Sequence, residues 1–201
     1  ADAAEQDTVL DIAIACREAG NPDRYLKFGS TSKITFPGAG VAAVAASPAN
    51  VAEIKRHMSA QAIGHDKLNQ LRHARFLDEG RRLAAHMARH GELMAPKFDL
   101  VCRRLGEELG EAGIATWTNP RGGYFVSFEG PEGTARRIVA LAKEAGVTMT
   151  GAGATWPYGD DPADSNIRIA PSLPPLEELD AAMDVFCCCV KRAALEKILA
   201  D

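Results

Sequence analysis

Lys33 lies in a stretch of sequence that could hold a carbonyl compound through its side-chain amine. A lysine amine attacks a carbonyl carbon only when deprotonated, which near neutral pH requires burial or a neighbouring cation. Strand candidates at residues 25–29 and 41–46 flank it. Hydroxyl groups surround it, at Ser30, Thr31, Ser32 and Thr35, with glycines at 29, 38 and 40. This pattern predicts an amine at the end of a buried sheet beside donors for a phosphate group, and leaves a surface-loop lysine open as the alternative.

Four short segments of the sequence resemble motifs of a known enzyme family. They are G-S-T-S-K at 29–33 with P-G at 37–38, D-K-L-N-Q-L-R at 66–72, P-R-G-G-Y-F at 120–125 and N-I-R-I-A at 166–170. The first is similar to the S-x-S-K…P-G segment of fold type I pyridoxal-phosphate (PLP) enzymes. The third and fourth resemble the P-x-G-G-x-F hairpin and the arginine-bearing strand of their small domain. The first two together look most like the aspartate aminotransferase branch.

The resemblance implies a role for individual residues. Lys33 would hold PLP as a Schiff base and then move a proton between the substrate and the cofactor. Ser30 would donate its hydroxyl to the cofactor phosphate, with Ser32 as a second donor. Arg168 would grip the substrate α-carboxylate, since a planar guanidinium can form two parallel hydrogen bonds. An ordinary strand arginine with a solvent-exposed tip is the alternative for Arg168.

Residues 63–72 correspond to a loop that, in the resembling family, reaches into the active site of the partner subunit. The resemblance therefore implies a homodimer, in which Lys67 would help to bind a second substrate carboxylate. His65, Asn69 and Arg72 compete for this role, and a solvated helix start is the alternative interpretation of the segment.

The sequence departs from the family pattern in two ways. Gly40 and its neighbours stand where many members carry an arginine that pairs with the cofactor phosphate. The phosphate cup, the ring-stacking aromatic and the ring-nitrogen aspartate of the family precede the lysine by more residues than this chain offers. We therefore expect the chain to be the C-terminal half of a protein about twice as long, and to be inactive by itself.

Apolar spacing and turn residues predict an α/β fold. In the first part we expect a helix over 8–19, the two strands, of which 41–46 would be buried on both faces, and a helix after Ser47-Pro48. In the second we expect a long helix from about 78 that Pro96 kinks or interrupts, a hairpin around 119–123, a helix ending at Gly146, strands at 147–150 and 167–170 and a final helix from about 176. The predicted domains are the end of a large α/β cofactor-binding domain, residues 1–78, and a small α+β domain, residues 79–201.

Composition narrows the functional classes. The formal net charge of −4 and the pI near 5.8 argue against a nucleic-acid-binding surface. No apolar run approaches the roughly 20 residues of a membrane-spanning helix, and we expect a cytoplasmic protein without a membrane partner. The five cysteines lack C-x-x-C spacing, so we interpret them as reduced thiols without a metal, mostly small buried hydrophobes.

The leading functional hypothesis is a PLP-dependent transaminase whose substrates are an amino acid, aspartate first, and a 2-oxo acid such as 2-oxoglutarate. Three alternatives stay open at the level of sequence. They are the effector domain of a transcriptional regulator, a PLP-dependent lyase or decarboxylase, and a cofactor-free interaction domain.

Overall fold

The computed structural model describes residues 8–200, which form two compact units, 8–90 and 91–200. Six α-helices and five β-strands lie within these described residues. The predicted domain boundary at 78/79 falls in the turn that precedes the fourth helix, whereas the division into compact units falls inside that helix. Each unit is described by itself.

Residues 8–90 begin with a short helix and an antiparallel strand pair. Helix α1 spans Ile12–Glu18 and begins after Asp11, whose carboxylate accepts a hydrogen bond from the Ala13 amide. Strands β1, Leu26–Ser30, and β2, Ala42–Ala46, pair from Leu26↔Ala46 to Ser30↔Ala42. The predicted helix over 8–19 is confirmed in a shorter form, and both predicted strands are confirmed.

The predicted burial of the second strand is wrong for the described chain. Every residue of β1 is exposed, and in β2 only Val44 and Ala46 are half-buried. The physical reason is that β1 and β2 form a sheet of two strands, which leaves both of its faces largely uncovered. The apolar run 41–46, which lacks alternation, therefore does not indicate burial in this chain.

Three helices complete residues 8–90 and lead into the next unit. Helix α2, Pro48–Gln61, begins as predicted, with the Ser47 hydroxyl accepting from the Asn50 amide. Helix α3 spans Lys67–Phe76, and α4 spans Leu83–Leu109. The chain turns between them through left-handed backbone at Asp78, Glu79 and Gly80, so α4 starts later than predicted.

Helix α4 runs without interruption through Pro96, so the predicted long helix is confirmed and the interruption, one of the two predicted effects of Pro96, is absent. Proline removes one helical hydrogen bond, at a cost of about 3 kcal/mol in an unsupported helix. Val101, Leu105 and Leu109 of the same helix are fully buried, and their packing offsets that cost.

Residues 91–200 are an α+β unit with a continuous apolar core. Strands β3, Thr116–Trp117, β4, Val126–Glu129, and β5, Asn166–Ile169, form an antiparallel sheet in the order β3-β4-β5. Helices α5, Ala135–Glu144, and α6, Leu176–Ile198, bury apolar side chains in that core, where Phe128 of β4 meets Phe186 of α6 edge to face. The predicted hairpin and both helices are confirmed, and Gly123 in the hairpin has left-handed backbone, with φ +86°.

The strand predicted at 147–150 is absent from the described structure. The Val147 amide, which a strand would need for its ladder, donates instead to the Ala142 carbonyl and closes α5. Gly146 adopts φ +92° in this closure. Val147 and Met149 still pack against the core, so their apolar character reflects burial in a loop.

The thiols of the described residues are free, as the sequence predicted. Cys187 and Cys189 are buried in the core, and burial raises the pKa of Cys187 to about 11, so this thiol stays protonated. Cys188 is exposed and departs from the buried-hydrophobe interpretation. Within residues 8–200 no cluster of metal-ligating side chains occurs and no helix is long and apolar enough to cross a membrane.

Glu196 of α6 forms an ion pair with Arg137 of α5, and this pair makes the free energy of unfolding depend on pH. Its carboxylate accepts from Arg137 at 2.7 and 2.9 Å and from Arg192 at 2.9 Å, and these hydrogen bonds lower its pKa from 4.5 to about 2. A depressed carboxyl pKa stabilises the folded state fully above the unfolded value, and the contribution is lost as pH falls from 4.5 toward 2. We expect Glu196→Gln to lower the urea midpoint of unfolding at pH 7, and to lower it much less at pH 3.

Glu111→Gln, at an exposed position in the turn after α4, is the matched control for Glu196→Gln and should leave both midpoints unchanged. An equal loss for Glu196→Gln at the two pH values would contradict the assignment, because it would mean that the carboxylate charge does not matter.

Candidate functional site

Lys33 occupies the middle of a single helical turn between β1 and β2. We call residues 31–36 the Lys33 turn. The amides of Ile34 and Thr35 both donate to the Thr31 carbonyl at 3.0 Å, and the Thr31 amide donates to the Val41 carbonyl at 2.9 Å. Lys33 is exposed, so the described residues alone do not supply the burial that the sequence predicted for its amine.

Ser30 and Ser32 form a pair of hydroxyl groups at the start of the Lys33 turn. Their oxygens lie 2.7 Å apart, and the Ser32 amide donates to the Ser30 hydroxyl at 3.1 Å. Both residues are exposed. One shared hydrogen bond leaves one hydroxyl hydrogen of the pair available to a bound group.

Gly40 packs so closely on Ser32 that a side chain cannot be added without movement. A Cβ atom at Gly40 would lie 2.8 Å from the Ser32 hydroxyl and 3.2 Å from the Ser32 Cα. An arginine at this position would therefore displace Ser32, and this is a steric reason for its absence here.

Two polar side chains on one face of helix α3 contact the Lys33 turn and the residues that follow it. His73 Nε2 lies 2.8 Å from the Thr35 hydroxyl and 3.1 Å from the Thr31 hydroxyl. Asn69, one helical turn earlier, donates to the Ala39 carbonyl at 2.7 Å. His73 Nδ1 lies 2.9 Å from the Asn69 carbonyl, which can only accept, so Nδ1 carries a hydrogen and Nε2 of the neutral ring accepts from a threonine.

Phe36 and His86 connect the other side of the Lys33 turn to α3 and α4. The Phe36 ring meets His73 and Phe76 at centroid distances of 5.3 and 5.1 Å, with the Arg72 guanidinium 5.5 Å away. His86 of α4 packs its edge on Phe76 and contacts the Ile34 carbonyl through Nε2. The turn that carries Lys33 is thus contacted by two helices.

Arg168 lies on β5 opposite Ser127 of β4. Its neighbours Ile167 and Ile169 face the core and are buried, whereas Arg168 is half-buried on the other face of the sheet. Its guanidinium carbon stacks over the Phe125 ring, 4.4 Å from the centroid. The buried Nε atom of Arg168 has no hydrogen-bond partner among the described residues. A buried guanidinium donor without an acceptor has the chemistry that suits an anionic group.

The 63–72 segment is mostly helical, which agrees with the alternative prediction of a solvated helix start and not with the loop that the resemblance implied. Irregular chain is confined to residues 62–66, and α3 begins at Lys67 because the Asp66 carboxylate accepts from the Asn69 amide at 2.9 Å. Lys67 is exposed in the first turn of this helix. Asn69 contacts Ala39 and Arg72 contacts Phe36, so both side chains lie against the segment between β1 and β2 of the same chain.

The family model described as aspartate amino-transferase matches residues 1–201 of the chain. The chain belongs to this aminotransferase family. A Mycolicibacterium smegmatis protein described as an aminotransferase is 51% identical over 193 residues, which are 96% of this chain and 44% of that protein. An aspartate aminotransferase of Corynebacterium glutamicum is 47% identical over 188 residues, 94% of this chain and 44% of its own length. The chain thus spans about half the length of the curated relatives it matches.

Solved aminotransferase structures share this fold. The crystal structure of an aminotransferase from Corynebacterium diphtheriae superposes with a TM-score of 0.87 at 48% identity, over 94% of this chain and 47% of that one. These matches confirm the predicted fold class, the C-terminal part of a fold type I aminotransferase with the end of the large domain and a small α+β domain.

Sequence reasoning missed the residues that support the candidate site. The sequence predicts Asn69 only as a competitor of Lys67 and Phe125 only as part of the hairpin motif, and it assigns no role to His73 or His86. The available signal for Asn69 and His73 is their spacing of four residues, which places both on one face of a helix. Recognising it required that 67–76 be predicted as a helix.

Proposed function

We propose that the complete aminotransferase containing this chain is a transaminase that moves an amino group from an amino acid, aspartate first, to a 2-oxo acid with PLP as cofactor. The observation that carries the proposal is the Lys33 turn, where an exposed amine follows two adjacent hydroxyls. The 47% identity to an aspartate aminotransferase supports both the reaction and the amino donor.

The donor set of the Lys33 turn fits PLP. The cofactor has an aldehyde, for which the amine of Lys33 is the matching nucleophile, and a phosphate, for which Ser30 and Ser32 are the matching hydroxyl donors. The two hydroxyls lie side by side, and Gly40, which has no side chain, leaves the Ser32 hydroxyl in place. The residues that would hold the group are therefore Lys33, Ser30 and Ser32.

When bound, PLP supplies an electron sink that stabilises negative charge at the substrate α-carbon. The protein contributes binding and proton transfer. Lys33 Nζ would anchor the cofactor, and as a free amine the same atom would take the proton of the substrate α-carbon and pass it to the cofactor. Arg168 binds the α-carboxylate, and its stacking on Phe125 limits the directions in which its hydrogen bonds can point.

Borohydride reduction of the complete protein in the presence of PLP tests the proposal. Reduction fixes PLP permanently to the amine that holds it, and peptide mapping then locates the label. We expect the label on the peptide that contains Lys33. A protein that takes up no label, or carries it on another lysine, would overturn the assignment.

Gly40→Ala should weaken PLP binding. The added Cβ pushes Ser32 away from Ser30, and loss of one hydrogen bond to a charged phosphate corresponds to about a tenfold rise in Kd. The measurement is a fluorescence titration of the complete protein with PLP. Gly29→Ala, whose Cβ would meet open space, is the control, and equal affinities of the two variants would contradict the role of Ser32.

Lys67 is proposed to bind the side-chain carboxylate of a dicarboxylic substrate. Its exposed position at the first turn of α3 supports this role, because a flexible amine there can reach a bound anion. We expect Lys67→Gln to raise KM for aspartate several-fold and leave KM for alanine unchanged, in steady-state assays of the complete protein. Equal effects on the two amino donors would remove Lys67 from the substrate site.

We further propose a cytoplasmic homodimer. The free thiols of the described residues support a reducing compartment. Large apolar side chains that stay exposed in residues 8–90, including Val9, Leu10 and Phe28, support a further covering surface. Light scattering of the complete protein tests the assembly, and a monomer at micromolar concentration would contradict it.

A further inference from the structure

We propose that His73 and His86 are positioning residues that fix the Lys33 turn, an inference that rests on the proposed role of Lys33. Each histidine acts on the backbone and the threonines around Lys33: His73 contacts Thr31 and Thr35, and His86 contacts the Ile34 carbonyl. Lys33 therefore lies between residues that are held from both sides.

The turn needs such support because it is short. An isolated helical turn is unfavourable, since several backbone dihedrals are fixed for very few hydrogen bonds. Only the amides of Ile34 and Thr35 close this one, and both donate to the same carbonyl, that of Thr31. Contacts from α3 and α4 supply the stabilising interactions that these few hydrogen bonds do not provide.

The burial of His73 distinguishes it from the other histidines. Among the described residues of 8–90, Ser47 and His73 are the two buried side chains, and Ser47 caps a helix. A buried imidazole is tolerated only when its nitrogens are hydrogen-bonded. His73 meets this condition through Asn69 on one side and the two threonines on the other.

The same threonines connect His73 to β2. The Thr31 hydroxyl accepts from the Val41 amide at 2.8 Å, and the Thr35 hydroxyl lies 3.1 Å from the Thr31 carbonyl. One imidazole nitrogen thus contacts two threonines, and one of these threonines also accepts from the Val41 amide at the entry to β2. Loss of the contacts made by His73 Nε2 would therefore remove support from both the Lys33 turn and the start of β2.

The test compares two replacements of His73 in the complete protein. His73→Phe keeps an aromatic ring beside Phe36 but removes the polar contacts with the two threonines and the Asn69 carbonyl, whereas His73→Gln retains an amide that can accept from the threonines and donate to that carbonyl. His57→Phe, on the exposed surface of α2, is the matched control. The first readout is amide hydrogen exchange of peptides covering 31–41, with peptides covering 179–194 of α6 as internal reference.

We expect His73→Phe to speed exchange in 31–41 about fivefold, the equivalent of one hydrogen bond, and to leave 179–194 unchanged. His86→Phe, which keeps the ring contact with Phe76, should speed the same peptides. The second readout is the share of Lys33 labelled by borohydride at a PLP concentration below saturation. It should fall about fivefold in His73→Phe and recover in His73→Gln.

A double-mutant cycle with Thr35→Val keeps the proposal falsifiable if His73→Phe lowers overall stability. Thr35→Val also removes the hydrogen bond from the Thr35 hydroxyl to the Thr31 carbonyl, so if the hydrogen bond to His73 carries the effect, the acceleration in the double variant is smaller than the sum of those in the two single variants. Additive effects, unchanged exchange in His73→Phe, or equal acceleration in 31–41 and 179–194 would each overturn the positioning role.

The two readouts separate this inference from the proposed function. A wild-type protein that PLP does not label at Lys33 defeats the proposed function, while hydrogen exchange still decides whether the histidines fix the turn. Labelling that is normal in wild type and in His73→Phe defeats the positioning role alone.

Discussion

Lys33→Ala in the complete protein is expected to lower kcat for transamination by at least about 10³-fold. The loss is large because one amine both anchors the cofactor and carries the proton of the substrate α-carbon. Ser30 and Ser32 lie outside the change, so PLP should still bind, with an affinity reduced by the loss of its attachment. The measurements are the rate of 2-oxo acid formation and the absorption spectrum of bound PLP.

Lys55→Ala provides the control for this prediction, since Lys55 is an exposed lysine of α2. Its kcat should equal that of the wild type. A Lys33→Ala protein that retains more than about a tenth of the wild-type kcat would place the reactive amine elsewhere.

Arg168→Lys is expected to lower kcat/KM by about 10²-fold for every amino donor, mainly through KM. Lysine keeps the positive charge but loses the planar pair of donors that orients a carboxylate, and about 3 kcal/mol of such charge-assisted hydrogen bonding corresponds to this factor. The uniform effect follows because all amino acids share the α-carboxylate. Steady-state kinetics with aspartate and alanine make the comparison.

Arg136→Lys, at an exposed arginine of α5 beside Asp164, should behave as wild type in the same assay. A selective loss for aspartate in Arg168→Lys would assign Arg168 to the side-chain carboxylate instead of the α-carboxylate. Comparable kinetics of the two variants would leave Arg168 as a structural arginine of β5.

The parts of the fold that the sequence predicted well are those in which local pattern and environment agree. Residues 176–198 repeat apolar side chains at helical spacing, and Leu179, Met183, Phe186 and Val190 are buried in α6 as expected. The Ser47-Pro48 pair started α2, and Gly123 turned the hairpin between β3 and β4. Ser47-Pro48 and Gly123 each satisfy a backbone requirement that few other residue types satisfy.

Predictions failed where the deciding contact lies far away in the sequence. The apolar run 41–46 has the composition of a buried strand, yet its exposure depends on which elements cover it. His73 meets Thr31 across a separation of 42 residues, so no local pattern could assign it to the Lys33 turn. Residues 67–76 lack a clear apolar face, because Leu68 and Leu71 remain exposed, and α3 was therefore predicted only as an alternative.

The scarcity of buried side chains in residues 8–90 has a consequence for the local stability of the chain by itself. Among the described residues of this unit only Ser47 and His73 are buried, whereas residues 91–200 contain a continuous apolar core. Apolar burial is the main force of folding, so the two units differ in the stability that their own contacts supply. In the isolated chain we expect the backbone amides of 8–90 to exchange with solvent faster than those in the core of 91–200.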